Sequence, residues 1–315
     1  MRWYVVLLLS GLLCVAGVHS YYTPCSGSCT KEASSEVLAG MKLIFYNGRT
    51  ENENVKIPIG EAERLPSLID SKKPTVIYVH GSYDSQSPRH ATTVAVARAY
   101  VEAQTSNFVV LDWSNISGKS GSYLLASVPA VGSALAKVVA TLVEGGLTSS
   151  TLTLVGQGMG AHVVSYAGLY SPKKLTKIIG LDPTTNAPER TLSSKDAEYV
   201  FVIHTAVGGL GFRHNRGVPL QIGTADFYAN NGRPVQPGCR ATMTGDYCSH
   251  FRAAYLFAES VRNPTALGAV RCGDAESFDK KLCAGNSVEY LGAGTSKSAS
   301  GRYYLSTSDR PPYAL

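Results

Sequence analysis

Short apolar runs alternate along this chain with longer stretches whose apolar positions recur every three or four residues. Thr75–Val79 (TVIYV), Phe108–Leu111 (FVVL), Thr151–Val155 (TLTLV), Lys177–Leu181 and Tyr199–Ile203 are continuous and rich in β-branched residues. Runs of that kind read as strands buried on both faces. Between them, Arg89–Glu102 has helical spacing. Tyr123–Glu144 places Leu124, Val128, Val131, Leu135, Val138 and Leu142 on one helix face, and Ala161–Leu169 continues the pattern after a glycine-rich turn. Strand–helix alternation predicts βαβ units and a mostly parallel sheet with helices on both faces. In such sheets the working site lies beyond the carboxyl ends of the strands. The residues there are His80-Gly81-Ser82, Asp112-Trp113, Gly156-Gln157-Gly158-Met159-Gly160, Asp182-Pro183 and His204-Thr205.

The chain has 315 residues, 44% hydrophobic and 17% charged, which is material for one large core at roughly 100–200 residues per domain. The formal net charge of +6 is spread without a basic block, so nucleic acid is not an expected partner. Arg2 followed by the apolar run Tyr4–Val18 and small residues reads as a signal peptide, residues 1–20, ahead of a single domain, 21–315, of a secreted protein. The run is shorter than the roughly 20 residues of a spanning helix, and no other segment is expected to cross a bilayer. Loss of the leader removes Cys14 and leaves Cys25, Cys29, Cys239, Cys248, Cys272 and Cys283. An even set in a secreted chain implies disulfides whose pairing the sequence leaves open, nearest neighbours being favoured by spacing. No cofactor or metal is expected, because no second His cluster accompanies the cysteines. Asn115-Ile116-Ser117 is a glycosylation sequon expected on a surface loop.

The chemistry is concentrated at residues 156–160. Strand, G-x-x-x-G, helix is the backbone of a nucleophile elbow, in which a strained central residue carries the attacking side chain and glycines let the backbones pass. A carboxylate follows at Asp182 and a histidine at His250, the latter read as opening a helix Phe251–Val261. Nucleophile, acid, histidine is the order found in α/β-hydrolases. The central residue here is Gly158.

GQGMGAHVVSYAG, GLDP, VIHT, ADFYANNGRPVQPGC, CSHFRAAYLFAESV and GRYYLSTSDRPPY together resemble the pancreatic-lipase family, in the style of its insect secreted members, over nearly all of residues 25–315. The resemblance implies an α/β-hydrolase fold with Asp182 and His250 as acid and base. It makes the amides of Ser82 and Met159 the oxyanion donors, and His80, Tyr83 and Gln157 neighbours of a ligand. It pairs Cys239 with Cys248 across a short lid, Cys272 with Cys283 and Cys25 with Cys29. Against the family pattern, no C-terminal β-sandwich is expected, and the calcium site of the family is expected to be depleted, because Ser193 and Ser194 stand in that stretch. Gly158 has no hydroxyl, and loss of a triad serine costs on the order of 10⁶ in turnover.

His80 and His204 read as buried histidines at strand ends, and His162 as packed behind the elbow. Arg213, His214 and Arg216 read as a solvated loop near the cleft mouth. The expectation is therefore a secreted, catalytically inactive lipase-like protein that binds or stores lipid or a lipid-like small molecule, as insect yolk proteins of the family do. One alternative is a residual or atypical lipase, phospholipase or carboxylesterase. Another is an extracellular coat or interaction protein that meets lipid surfaces or other extracellular proteins.

Overall fold

A computed structural model of the chain describes residues 32–82, 91–119, 121–208, 217–241 and 243–315. The chain divides into two units, Met1–Thr30 and Lys31–Leu315. The first lies outside the described residues, and with it the leader and the Cys25–Cys29 pair.

In the second unit the strands are β1 (Lys42–Tyr46), β2 (Asn54–Pro58), β3 (Thr75–Val79), β4 (Asn107–Asp112), β5 (Leu152–Gln157), β6 (Leu175–Leu181), β7 (Ala197–His204), β8 (Ala225–Ala229), β9 (Gly268–Arg271), β10 (Val288–Tyr290) and β11 (Gly301–Leu305). The α-helices are α1 (Ser35–Ala39), α2 (Ala91–Ala103), α3 (Ser114–Ser117), α4 (Gly121–Glu144), α5 (Met159–Tyr170), α6 (Met243–Arg262) and α7 (Ala275–Asp279). The described strands form one 11-stranded sheet in the order β10-β9-β11-β8-β7-β6-β5-β3-β4-β1-β2. Strands β4, β3, β5, β6, β7, β8 and β11 pair in parallel. Antiparallel strands finish both edges.

Two cores follow from the alternation of side chains along each strand. Ile77, Val79, Val109, Leu111, Leu154, Ile178, Val200 and Val202 face α4 and α5. Their sequence neighbours Val76, Tyr78, Phe108, Val110, Val155, Ile179, Phe201 and Ile203 face α2 and α6. Both sets are buried, which is why the strands read as unbroken apolar runs. The arrangement is the α/β-hydrolase fold.

Three expectations are corrected. His250 does not open its helix: α6 begins at Met243 and carries His250 well inside it. Gly245, Asp246 and Ser249 are weak helix formers, so the sequence pattern hides the first two turns. Second, the sequon is not on an exposed loop. Asn115 lies in α3 with its Nδ2 donating to Val37 O at 2.7 Å, and Ser117 is fully buried, so the folded chain occupies the nitrogen that a glycan would need. Third, α4 is long and apolar enough to cross a membrane by composition; here its apolar face is spent on the core against α5.

Candidate functional site

Three strand ends and one helix build the site. Gly158 directly follows β5, with φ 56° and ψ −113°, a conformation that costs a side-chain-bearing residue roughly 1–3 kcal/mol and glycine far less. Its amide donates to Leu181 O at 2.9 Å, which ties the turn to the end of β6. The flanking glycines are required by close approach. A Cβ at Gly156 would overlap the carbonyl oxygen of Gly160, and one at Gly160 would overlap that of Val79. The elbow is therefore complete in its backbone.

Asp182 follows β6 with φ 45°, an uncommon region for a residue with a Cβ. Its Oδ1 accepts from the amides of Thr205 at 2.8 Å and Ala206 at 3.0 Å, just past β7. Its Oδ2 lies 2.7 Å from His250 Nδ1. Asp182 is fully buried and His250 nearly so. Nδ1–H donates to the carboxylate, and Nε2 faces the elbow. A Cβ built on Gly158 would lie 2.8 Å from that Nε2 and 3.2 Å from Cε1. The imidazole thus stands over the place where a nucleophile's side chain would rise.

A cavity of about 400 Å³ lies beside the elbow, bordered by Gly81, Ser82, Gln157, Met159, Thr184 and His250. Leu124, Tyr247 and Phe251 add apolar surface, and Tyr247 is partly exposed. The Ser82 and Met159 positions expected to supply oxyanion amides border the cavity together, Met159 being the first residue of α5, where the amide has no intrahelical acceptor. Gln157 is fully buried. Its Oε1 accepts from Gly81 N at 3.2 Å, while its Nε2 has no hydrogen-bond partner among the described residues.

His80 does not meet the expectation of a ligand contact. Its ring is fully buried behind the cleft wall. Nδ1 donates to Gly81 O at 2.9 Å, Nε2 receives the Trp113 amide at 3.4 Å, and Asp112 Oδ1 is 3.5 Å away. Tyr83 lies outside the described residues, as do Arg213, His214 and Arg216. His162 is fully buried beneath the elbow, with Nε2–H on Thr184 O at 2.8 Å and Nδ1 accepting from Leu192 N at 3.4 Å. Burial pushes its pKa down to about 4, so it is a neutral bracket between α5 and the loop that carries Thr184.

Cys239–Cys248 and Cys272–Cys283 are disulfides, the first closing the chain just ahead of His250. Asp196, in the stretch where the resemblance would put calcium, already has its counter-charge. Its Oδ1 pairs with Arg190, and its Oδ2 accepts from Ser165 Oγ at 2.7 Å and Ser193 N at 2.9 Å. These donors do not fit a metal. One buried pair escaped the sequence reading: His204 Nε2 lies 2.8 Å from Asp226 Oδ2, with Ile222 and Gly223 amides on the same carboxylate. It fixes the end of β7, from which Thr205 and Ala206 hold Asp182. Residues 204 and 226 meet only through the β7–β8 register, which no local motif discloses.

An elbow after a central strand, an acid after the next and a histidine on a late helix define an α/β-hydrolase-type protein. The Lipase family model matches residues 23–313, and the chain belongs to that family. Among curated relatives, lipoprotein lipase of Rattus norvegicus is 30% identical over 292 residues, covering 80% of this chain and 60% of that protein. Phospholipase A1 member A of Rattus norvegicus is 31% identical over 192 residues, covering 58% of this chain and 40% of that protein. The chain thus spans about half the length of these relatives. A solved carboxylesterase from Mesorhizobium loti is 19% identical, with a TM-score of 0.33, covering 44% of this chain and 68% of that one.

Proposed function

We propose that the protein is a secreted, catalytically silent member of the Lipase family that binds or stores a lipid or lipid-like molecule, in the manner of a yolk-protein carrier. The observation that carries this reading is Gly158. It stands in an otherwise complete elbow, under a histidine paired to Asp182 at 2.7 Å, with no atom that can attack a carbonyl. Acyl transfer through a covalent intermediate needs that atom. Binding does not, and the cavity beside the elbow has both polar and apolar lining. Its volume lies near the lower end of small-ligand sites, which run from about 300 to 1,000 Å³, a size suited to one acyl chain.

The test is mass spectrometry of organic extracts from protein purified under native conditions. A defined lipid near one per chain is expected. An extract without lipid, together with no uptake of added acyl lipids, would contradict the carrier reading and favour an extracellular coat or interaction role.

A further inference from the structure

We propose that the Cys239–Cys248 bridge is a thiol–disulfide exchange site, at which a low-molecular-weight thiol attacks Cys248 and Cys239 leaves as a thiolate beside Arg252. Three observations meet at these atoms. First, the Arg252 guanidinium stands against the bridge, its Nη2 donating to Cys239 Sγ at 3.8 Å. Arg252 is only 5% exposed, and its Nη1 has no hydrogen-bond partner among the described residues. The Tyr313 ring, 4.5 Å from its Cζ, holds the guanidinium in place. The carboxylate of Glu259 does not neutralise it, and accepts instead from the amides of Tyr313 and Ala314. A buried cation without a counter-charge is costly, so it favours an anion on a neighbouring atom, and Cys239 Sγ is the neighbour that can become one. Second, Cys239 and Cys248 are both partly exposed, within reach of a small thiol. Third, Cys272 and Cys283 form the contrasting bridge, with both residues buried. Exposed bridges are the labile ones.

A neighbouring guanidinium lowers the pKa of a cysteine, and the sulfur of lower pKa leaves faster. Cys248 is therefore the sulfur attacked. The thiolate of the small thiol bonds to Cys248 Sγ, the Cys239–Cys248 bond breaks, and its electron pair departs on Cys239. A second thiolate then bonds to the sulfur of the first, the bond to Cys248 breaks, and the electron pair stays on Cys248. The small-molecule disulfide leaves, and the protons given up by the two thiols are available to the two cysteines. One protein disulfide is reduced and two thiols are oxidised. The place of the bridge gives this exchange a consequence. It ties Cys239 to the second turn of α6, whose start contains the weak helix formers Gly245 and Asp246. Tyr247, between the two cysteines, borders the cavity. Past the bridge, Ser249 Oγ accepts from Gln236 N at 3.1 Å and His250 keeps its bond to Asp182. Exchange thus unfastens the cavity wall at Tyr247 ahead of the acid–base pair.

The experiment holds natively folded full-length protein in glutathione buffers of rising reduced share, quenches by rapid alkylation and maps each cysteine by mass spectrometry. Cys239–Cys248 is expected to open at a reduced-to-oxidised ratio at least tenfold below that needed for Cys272–Cys283. At short times the mixed disulfide with glutathione should sit on Cys248. Arg252→Gln should raise the ratio needed to open Cys239–Cys248 about tenfold, and Arg252→Lys, which keeps the charge, should retain most of the wild-type behaviour. Opening of both bridges together, or of Cys272–Cys283 first, would overturn the proposal. So would a mixed disulfide on Cys239, a wild-type measurement that decides the matter whatever the variants do. An Arg252→Gln bridge that opens more easily than the wild type would show that Arg252 only braces the fold, and would overturn the proposal as well.

Discussion

Gly158 and His162 show how single residues divide the labour at this site. Gly158 keeps a backbone shape that other residues adopt only at a cost. His162, one turn into α5, holds the site from below. It stays neutral in the folded protein because burial pushes its pKa down from 6.5 to about 4. The unfolded chain takes up a proton as pH falls below about 6.5, whereas the folded chain resists until about 4. The contribution of this histidine is therefore complete above pH 6.5, declines as pH falls toward 4 and is flat below. The span is on the order of 3 kcal/mol. Chemical denaturation between pH 7 and 4 should show this slope in the wild type and a shallower one in His162→Gln, whatever the variant's absolute stability. Equal slopes would mean that His162 is not buried as a neutral ring. At this scale the sequence was informative where a motif carries its own chemistry, as at Gly158, Asp182 and His250. For His80 it offered two readings, and the buried histidine at a strand end holds while the ligand contact does not, because the ring turns toward Trp113 and Asp112. It was silent on the partner of Gln157, since Gly81 is brought to it only by the β3–β5 pairing.

The helices and strands were legible to the degree that burial writes a pattern. The parallel strands covered on both faces and the long apolar face of α4 stand out in the sequence. The edge strands β2 and β10 are short and largely unburied, so their composition carries little signal. The start of α6 was lost because its first turns contain poor helix formers, and the Cys239–Cys248 bridge that ties this part of the helix is not visible in the apolar pattern. The contact of α4 with α5 depends on one glycine: a Cβ at Gly132 would meet Tyr166 Cβ and the backbone of Val163. Gly132→Val should cost about 2 kcal/mol, as overpacking of a tight core contact does, and thermal or urea unfolding checks it. A variant as stable as the wild type would show that the two helices do not cross so closely. Because α5 begins at the elbow, the same substitution should also weaken ligand binding in the cleft.

Across the molecule, the fold retains much of what an ester hydrolase is built from. Two cores grip the central sheet, strand ends converge on one cleft, and the acid–base pair keeps its hydrogen bond. Family membership accounts for that architecture, and in the function proposed above one position, Gly158, separates the architecture from its reaction. The most direct test is hydrolysis of short-chain p-nitrophenyl esters by the purified wild type, its Gly158→Ser variant and a His250→Ala control, with fluorophosphonate labelling as a second readout. The wild type should match the blank and take no label. Gly158→Ser should gain both in part, limited by how far His250 must retreat from a Cβ now placed 2.8 Å from its Nε2, since ångström-scale misplacement costs on the order of 10²-fold. The contradicting result is clear turnover by the wild type that survives Gly158→Ala and disappears in His250→Ala, which would make the protein an enzyme that uses its histidine without a serine.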